Sequence, residues 1–170
     1  MSTTTQRRHR FWRHLVSDHR TARRAFPPAV LDRIQRAIAE GERSHVGQVR
    51  FAVEAALPLS LVLQHESPRA RALETFGRLR VWDTEHNSGV LVYVLLADKD
   101  VEIVADRGIH RKVGEAAWRD ICHTMEAAFG EAHFEQGALA GIEAISALLA
   151  RHFPRAAAGG NELSDRPVIL

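Results

Sequence analysis

The chain has 170 residues, of which 45% are hydrophobic and 26% charged, the balance of one soluble domain with enough apolar material for a core. Its net charge of +2 hides an asymmetry. Residues 1–36 carry Arg7, Arg8, Arg10, Arg13, Arg20, Arg23, Arg24, Arg33 and Arg36 against Asp18 and Asp32, a balance of +7, and the remainder carries −5. A basic arm of this kind attracts an anionic membrane surface or an acidic protein partner, or docks on its own acidic domain. No nucleic-acid module accompanies it, and Phe11, Trp12 and Phe26 are too few for a stacking platform, so nucleic acid is not an expected partner. The longest apolar run, 89–97, is far short of a transmembrane helix. No apolar segment of a secretory signal follows the first charges. The expected location is the cytoplasm, with the arm offering a peripheral seat at the inner membrane.

In chain order, residues 1–9 read as irregular, and 11–24 as a short basic helix with Phe11, Trp12, Leu15 and Val16 as its apolar points. Pro27-Pro28 opens the next helix. Leu31, Ile34, Ala37 and Ile38 carry it at three- and four-residue steps to about residue 42. Val49, Phe51 and Val53 then alternate with polar or small residues, which predicts a half-buried strand over 48–54. Residues 55–66, interrupted by Pro58, read as a loop or short helix. Ser67-Pro68 is an N-cap followed by proline at the first helical position. The helix it opens is expected to show Ala70, Leu73, Phe76, Gly77 and Arg80 along one face.

Residues 81–108 carry the most information. A carboxylate-rich loop leads into a Val/Leu/Tyr strand, 89–97, that is apolar on both faces, as in a central strand covered by helices. Asp98-Lys99-Asp100 turns the chain, and 101–106 alternates as a strand nearer an edge. Two helices follow. The first carries Trp118, Ile121, Cys122, Met125 and Phe129 on one face; the second, 133–153, has Gly137, Ala140 and Gly141 where another element can approach closely. Cys122 is the only cysteine, so no intramolecular disulfide forms, and its neighbours mark it as a buried structural thiol. The terminal Val168-Ile169-Leu170 is expected to tuck against the surface or a partner.

A strand–helix–strand unit leaves its strands parallel, and the hairpin adds an antiparallel neighbour. The fold class is therefore α/β: an α/β/α sandwich around a small mixed sheet with strands at 48–54, 89–97 and 101–106. Residues 1–26 form the basic arm, 27–153 the domain and 154–170 a C-terminal tail. On this division the arm is removable without unfolding the domain.

The run Asn87-Ser88-Gly89-Val90-Leu91, then Asp98, Val101-Glu102-Ile103 and Asp106-x-Gly108-Ile109, resembles the TPM domain family. So does Phe134-Glu135-x-Gly137-x-Leu139-x-Gly141-Ile142 at the start of the last helix. The similarity spans roughly residues 46–153. Asn87-Ser88 stands where the family has Asn-Asn, and Asp106-Arg107-Gly108 where it has Gly-x-Gly. The resemblance implies a short, free-standing bacterial member. It carries with it a family whose activities are heterogeneous: acid phosphatase in some plant members, divalent-metal binding in others, assembly roles elsewhere.

With Asp98-Lys99 in the turn, hairpin counting sets Asp106 opposite Leu91 and beside the 83–89 loop. Asp83, Glu85, Asn87 and Asp106 are then a candidate oxygen ligand set for Ca²⁺ or Mg²⁺, with His86 and His110 flanking it as candidate general acids and Arg107 and Arg111 as the nearby cations. Glu54, Asp98 and Asp100 gather at the strands' other end, where open α/β sheets bind ligands, although Asp98-Lys99-Asp100 reads as an ordinary charged turn. Its likeness to a haloacid-dehalogenase motif fails at Glu102, where Thr or Val is needed. Glu42-x-x-His45 reads as a cap and surface contact rather than a metal pair. Cys122 lacks a phosphate-loop arginine six residues on, and there is no Gly-x-Ser-x-Gly elbow, Walker loop or His-Glu-x-x-His. The expected function is a non-enzymatic interaction or assembly-accessory module, the alternative a divalent-metal-dependent acid phosphatase.

Overall fold

Alternation of apolar residues sets the sheet. The structure, a computed structural model describing residues 3–155 and 161–170, places β1 (Gln48–Glu54) parallel to β2 (Gly89–Leu95), with Gln48 opposite Gly89 and Glu54 opposite Leu95. β2 runs antiparallel to β3 (Asp100–Ala105). The tail supplies a strand the sequence pattern did not announce. β4 (Val168–Ile169) pairs in parallel with the free edge of β1, and the Leu170 amide donates to the Val53 carbonyl at 2.8 Å. The order is β3-β2-β1-β4. The Ala/Gly segment 156–160 lies outside the described residues.

The hairpin register differs from the count. Val90 faces Ala105 and Leu95 faces Asp100, because the turn takes in Leu96 to Lys99, bridged by the Lys99 amide to the Leu96 carbonyl at 3.0 Å with Lys99 at φ 54°. Asp106 therefore lies against Gly89, not Leu91, its amide donating to the Gly89 carbonyl at 2.9 Å. The shift is two residues, and side chains alternate with period two, so every residue keeps its expected face.

Helices cover both faces. Val49, Phe51, Val53, Val90, Val92 and Val94 pack on one side against α2 (His19–Ala25), α3 (Pro28–Gly41), α7 (Glu115–Gly130) and α8 (Phe134–His152). Ala52, Leu91, Tyr93, Leu95 and Val104 pack on the other against α4 (Leu59–Leu63), α5 (Pro68–Arg78) and Phe11 of α1 (Thr3–Val16). β2 is buried at every position, as its two apolar faces require. α6 (Arg107–Val113) follows β3 directly where only a loop was expected, because Asp106 caps it.

Two local readings change. Residues 3–9 are helical, and the basic segment is two helices, broken at Asp18. The Asp18 carboxylate accepts the Thr21 amide at 2.9 Å in a capping box that starts α2. Nor is 1–26 a uniform surface arm. Ala22 and Phe26 are fully buried, and the Phe26 ring lies 5.8 Å from Phe51, 6.0 Å from Phe129 and 5.8 Å from Phe134. Ser67 caps α5 as expected, accepting the Ala70 amide at 3.0 Å. The buried face of α5, however, is Arg71, Ala72 and Thr75, with Leu73 half exposed.

Two glycines are required by close approach. A Cβ on Gly89 would stand 1.9 Å from the Val81 carbonyl oxygen, and one on Gly141 would stand 2.3 Å from the Met125 sulfur. The first seats the loop before β2; the second lets α8 lie directly on α7, the role foreseen for the small residues of that helix.

Candidate functional site

At the open end of the hairpin the 83–89 loop meets the start of α6. A Cβ on Gly108 would lie 3.1 Å from the Asn87 carbonyl oxygen, so the two backbones nearly touch. Asn87 adopts φ 50°, a left-handed conformation that asparagine tolerates better than most residues. The buried Thr84 hydroxyl accepts the Ser88 amide at 2.9 Å and braces the loop. Asp106 is brought beside this loop. One of its oxygens caps α6 by accepting the Arg107 amide at 2.6 Å, and the other, Oδ2, is buried without a partner among the described residues.

The other three predicted residues do not join it in a ligand set. Asp83 is half exposed and pairs with Arg80 at 2.7 Å. Glu85 and Asn87 have exposed side chains, and the Glu85 amide donates to Glu162 of the tail at 2.6 Å. Among the described residues, Asp106 Oδ2 is a buried oxygen at this end without a partner, and no group of three or more His, Cys, Asp or Glu is placed to hold a metal ion. These residues do not fit a preformed divalent site. His86 is exposed, Arg107 and Arg111 are exposed, and His110 is half-buried.

The strands' other end holds a denser arrangement. Glu54 is 5% exposed and takes a bidentate ion pair from Arg71, with Nη2 at 2.7 Å and Nε at 2.9 Å, while the Tyr93 hydroxyl donates to it at 2.6 Å. Arg71 also reaches Glu74 at 2.7 Å. The hydrogen bonds to Glu54 raise the guanidinium pKa, and burial followed by the Glu54 bond raises the Tyr93 phenol. A carboxylate so fully occupied is a structural tie between β1, β2 and α5, not a free base. Sequence periodicity missed it, since Arg71 is buried by pairing and not by apolarity.

Asp98 is equally committed. Arg10 donates to it at 2.9 Å and Arg13 at 3.0 Å. The His14 ring is fully buried, with Nδ1 accepting the Leu57 amide at 2.9 Å and Nε2 3.1 Å from Asp98. Burial opposes ionisation of Asp98, but the His14 and Arg10 hydrogen bonds outweigh it and hold the pKa below its usual value. Part of the basic segment thus docks on the domain's own acids through this one carboxylate.

Asp100 makes no ion pair among the described residues, and its buried Oδ1 has no hydrogen-bond partner there. Burial, then the charges of Glu102, Glu126 and Asp98, push its carboxyl up to about 7. It opens onto a groove of about 720 Å³ between β3 and α7. Glu42 and His45, expected as a surface pair, are instead buried. Glu42 accepts the Val49 amide at 2.7 Å, and its carboxyl is pushed up to about 7 by burial; His45 Nδ1 donates to the Gly47 carbonyl at 3.0 Å, and burial pulls the ring down to about 4. Cys122 is buried, its thiol pushed up to about 12 by burial, which makes it inert.

A mixed four-stranded sheet between helical layers, with an Asn-x-Gly-Val-Leu strand entry and an Asp-x-Gly exit touching at one end, defines an α/β/α domain of the type the hairpin residues resemble. The TPM domain profile matches residues 22–148, and the chain belongs to the TPM domain family. Its structure is similar to the NMR structure of the BA42 protein from the psychrophilic bacterium Bizionia argentinensis, with a TM-score of 0.73 and 27% sequence identity over 83% of this chain and 92% of that one. No curated protein matches the chain. Among the described residues, no helix is long and apolar enough to cross a membrane.

Proposed function

We propose that this TPM domain is a non-enzymatic interaction module that seats itself on an anionic membrane surface through α1, at the cytoplasmic face of the inner membrane. The observation that carries this reading is an exposed stripe on α1. Trp12 is 57%, Leu15 47% and Val16 71% exposed, and Leu63 of α4 beside them is 67% exposed. Arg8, Trp12 and Leu15/Val16 recur at helical spacing on one side, while Phe11 and His14 face inward. Arg8 and Arg10 border an apolar hollow of about 400 Å³ lined by Trp12 and Leu63. Exposed Trp and Leu beside arginines are the combination an anionic interface rewards: the apolar tips enter the acyl boundary and each cation gains about 1 kcal/mol near acidic lipid. By contrast, Asp83, Asp98 and Glu54 are held by arginines, and one oxygen of Asp106 caps α6.

Vesicle flotation tests this. The full chain is expected to bind phosphatidylcholine vesicles containing about one-third phosphatidylglycerol and to leave pure phosphatidylcholine. The double variant Trp12→Ser/Leu63→Ser, which changes two exposed side chains, is expected to bind at least about tenfold more weakly. Equal binding by the variant, or no preference for anionic lipid, refutes the proposal.

A second reading, a divalent-metal-dependent phosphatase, is supported by one observation, the buried Asp106 Oδ2, which has no partner among the described residues. Cation binding there would require Asp83 to leave Arg80. Calorimetric titration with Ca²⁺, Mg²⁺ and Mn²⁺ separates the readings. Heat in the wild type that disappears in Asp106→Asn, which keeps the α6 cap, supports a metal site; absence of heat in the wild type removes it.

A further inference from the structure

We propose that the groove between β3 and α7 binds an extended peptide segment bearing a lysine or arginine, with the cation at Asp100 and Glu126 and a main-chain carbonyl on the indole of Trp118. The groove lies at the edge of the sheet and is independent of the α1 surface. Its charges do not cancel. Arg69 pairs with Glu102 at 3.2 Å and Arg119 with Glu115 at 2.8 Å, but Asp100 and Glu126 have no ion-pair partner among the described residues. Glu126 uses one oxygen to accept the Val101 amide at 3.1 Å, and Asp100 Oδ1 has no hydrogen-bond partner among the described residues. Two carboxylates without an ion-pair partner among the described residues, on one strand edge and the helix beside it, call for a cation, since the charge of Arg10 only partly offsets the burial and acidic neighbours of Asp100. A bare metal ion does not fit, because among the described residues no three His, Cys, Asp or Glu converge here.

Trp118 supplies the second requirement. It lines the groove, is only 4% exposed, and its Nε1–H has no acceptor among the described residues. Indole nitrogen donates and does not accept, so the ligand must bring an oxygen as well as a positive charge. A polyamine brings none; every peptide residue brings a carbonyl. Length agrees. Trp118, Cys122 and Glu126 lie at successive four-residue steps along one side of α7, so the groove spans about 12 Å at 1.5 Å per residue. That is the reach of about four extended residues. The wall between the two polar ends includes the neutral Cys122 thiol and Ile103, against which an aliphatic lysine or arginine stem packs with its charged head at the acidic end.

The test is a titration of the ¹⁵N-labelled full chain at pH 8 with acetyl-Gly-Lys-Gly-Gly-amide, with the norleucine analogue and spermidine in parallel. The lysine peptide is expected to give saturable shifts across residues 100–103 and 118–126, and to move the Trp118 indole N–H downfield while those of Trp12 and Trp82 stay in place. Asp100→Asn/Glu126→Gln is expected to weaken binding at least about tenfold, as loss of charge-assisted hydrogen bonds does. Trp118→Phe, which keeps a ring but no donor, is expected to weaken it severalfold. The proposal is overturned if the norleucine peptide binds equally, if no saturable shift appears, or if the double variant binds like the wild type. It is equally overturned if spermidine binds as tightly as the peptide with the Trp118 indole unmoved, which would make the groove a polyamine site.

Discussion

Arg71→Ala is expected to destabilise the domain by about 3–5 kcal/mol, read as a lower urea midpoint, because it strands a buried carboxylate. Glu54 is 5% exposed and receives both Arg71 nitrogens at 2.7 and 2.9 Å. Without the guanidinium, only the Tyr93 hydroxyl remains to it. The Coulomb attraction in the native pair need not exceed the desolvation of its two ions, so the large effect comes from breaking the pair and not from its net contribution. Arg71→Met/Glu54→Gln, which removes both charges, should therefore recover much of the loss. A loss below about 1 kcal/mol in Arg71→Ala would show that Glu54 is solvated and that the tie between β1, β2 and α5 is not electrostatic.

Phe26→Ala is expected to cost about 3–5 kcal/mol, since it empties a fully buried site ringed by three other phenylalanines. Deleting residues 1–26 should cost still more. It removes Ala22 and Phe26 from the core together with the Arg10, Arg13 and His14 contacts that cover Asp98. Thermal unfolding of the deletion should then show no cooperative transition, or one far below that of the full chain. A deletion that melts like the wild type would restore the reading of 1–26 as a detachable arm. The point variants Trp12→Ser and Leu63→Ser are thus the proper probes of the membrane surface, as they spare this packing.

Charge together with the Pro27-Pro28 break divided the chain at residue 26, and neither reports burial. Arg20, Arg23 and Arg24 are on the same short helix as the buried Ala22. The apolar side of a seven-residue helix holds too few residues for periodicity to stand out, and Phe26 lies one residue beyond it. The α5 face failed for a related reason. Leu73 and Phe76 suggested the inward side, but the partner waiting there was the Glu54 carboxylate, and meeting it turned Arg71 inward instead. Hydrophobic pattern cannot anticipate a buried face organised by an ion pair.

The hairpin was legible because its information is local. Alternation, a two-faced apolar strand and a charged turn determined β1, β2, β3, their pairing directions and the layered fold, and the loop and exit residues around them carried the family resemblance. Side-chain period two protected the face assignments even where the turn was wider than counted. What only the tertiary structure decided is which acids are free. Asp83, Asp98 and Glu54 look alike in sequence, yet arginines from α1, α5 and the segment after α5 occupy all three. Asp100 on β3, and Glu126 and the Trp118 indole two helical turns apart on α7, are left without such partners among the described residues. A carboxylate's availability depends on which cations packing brings within about 4 Å of it, and that distance is set by the whole fold, not by its neighbours in sequence.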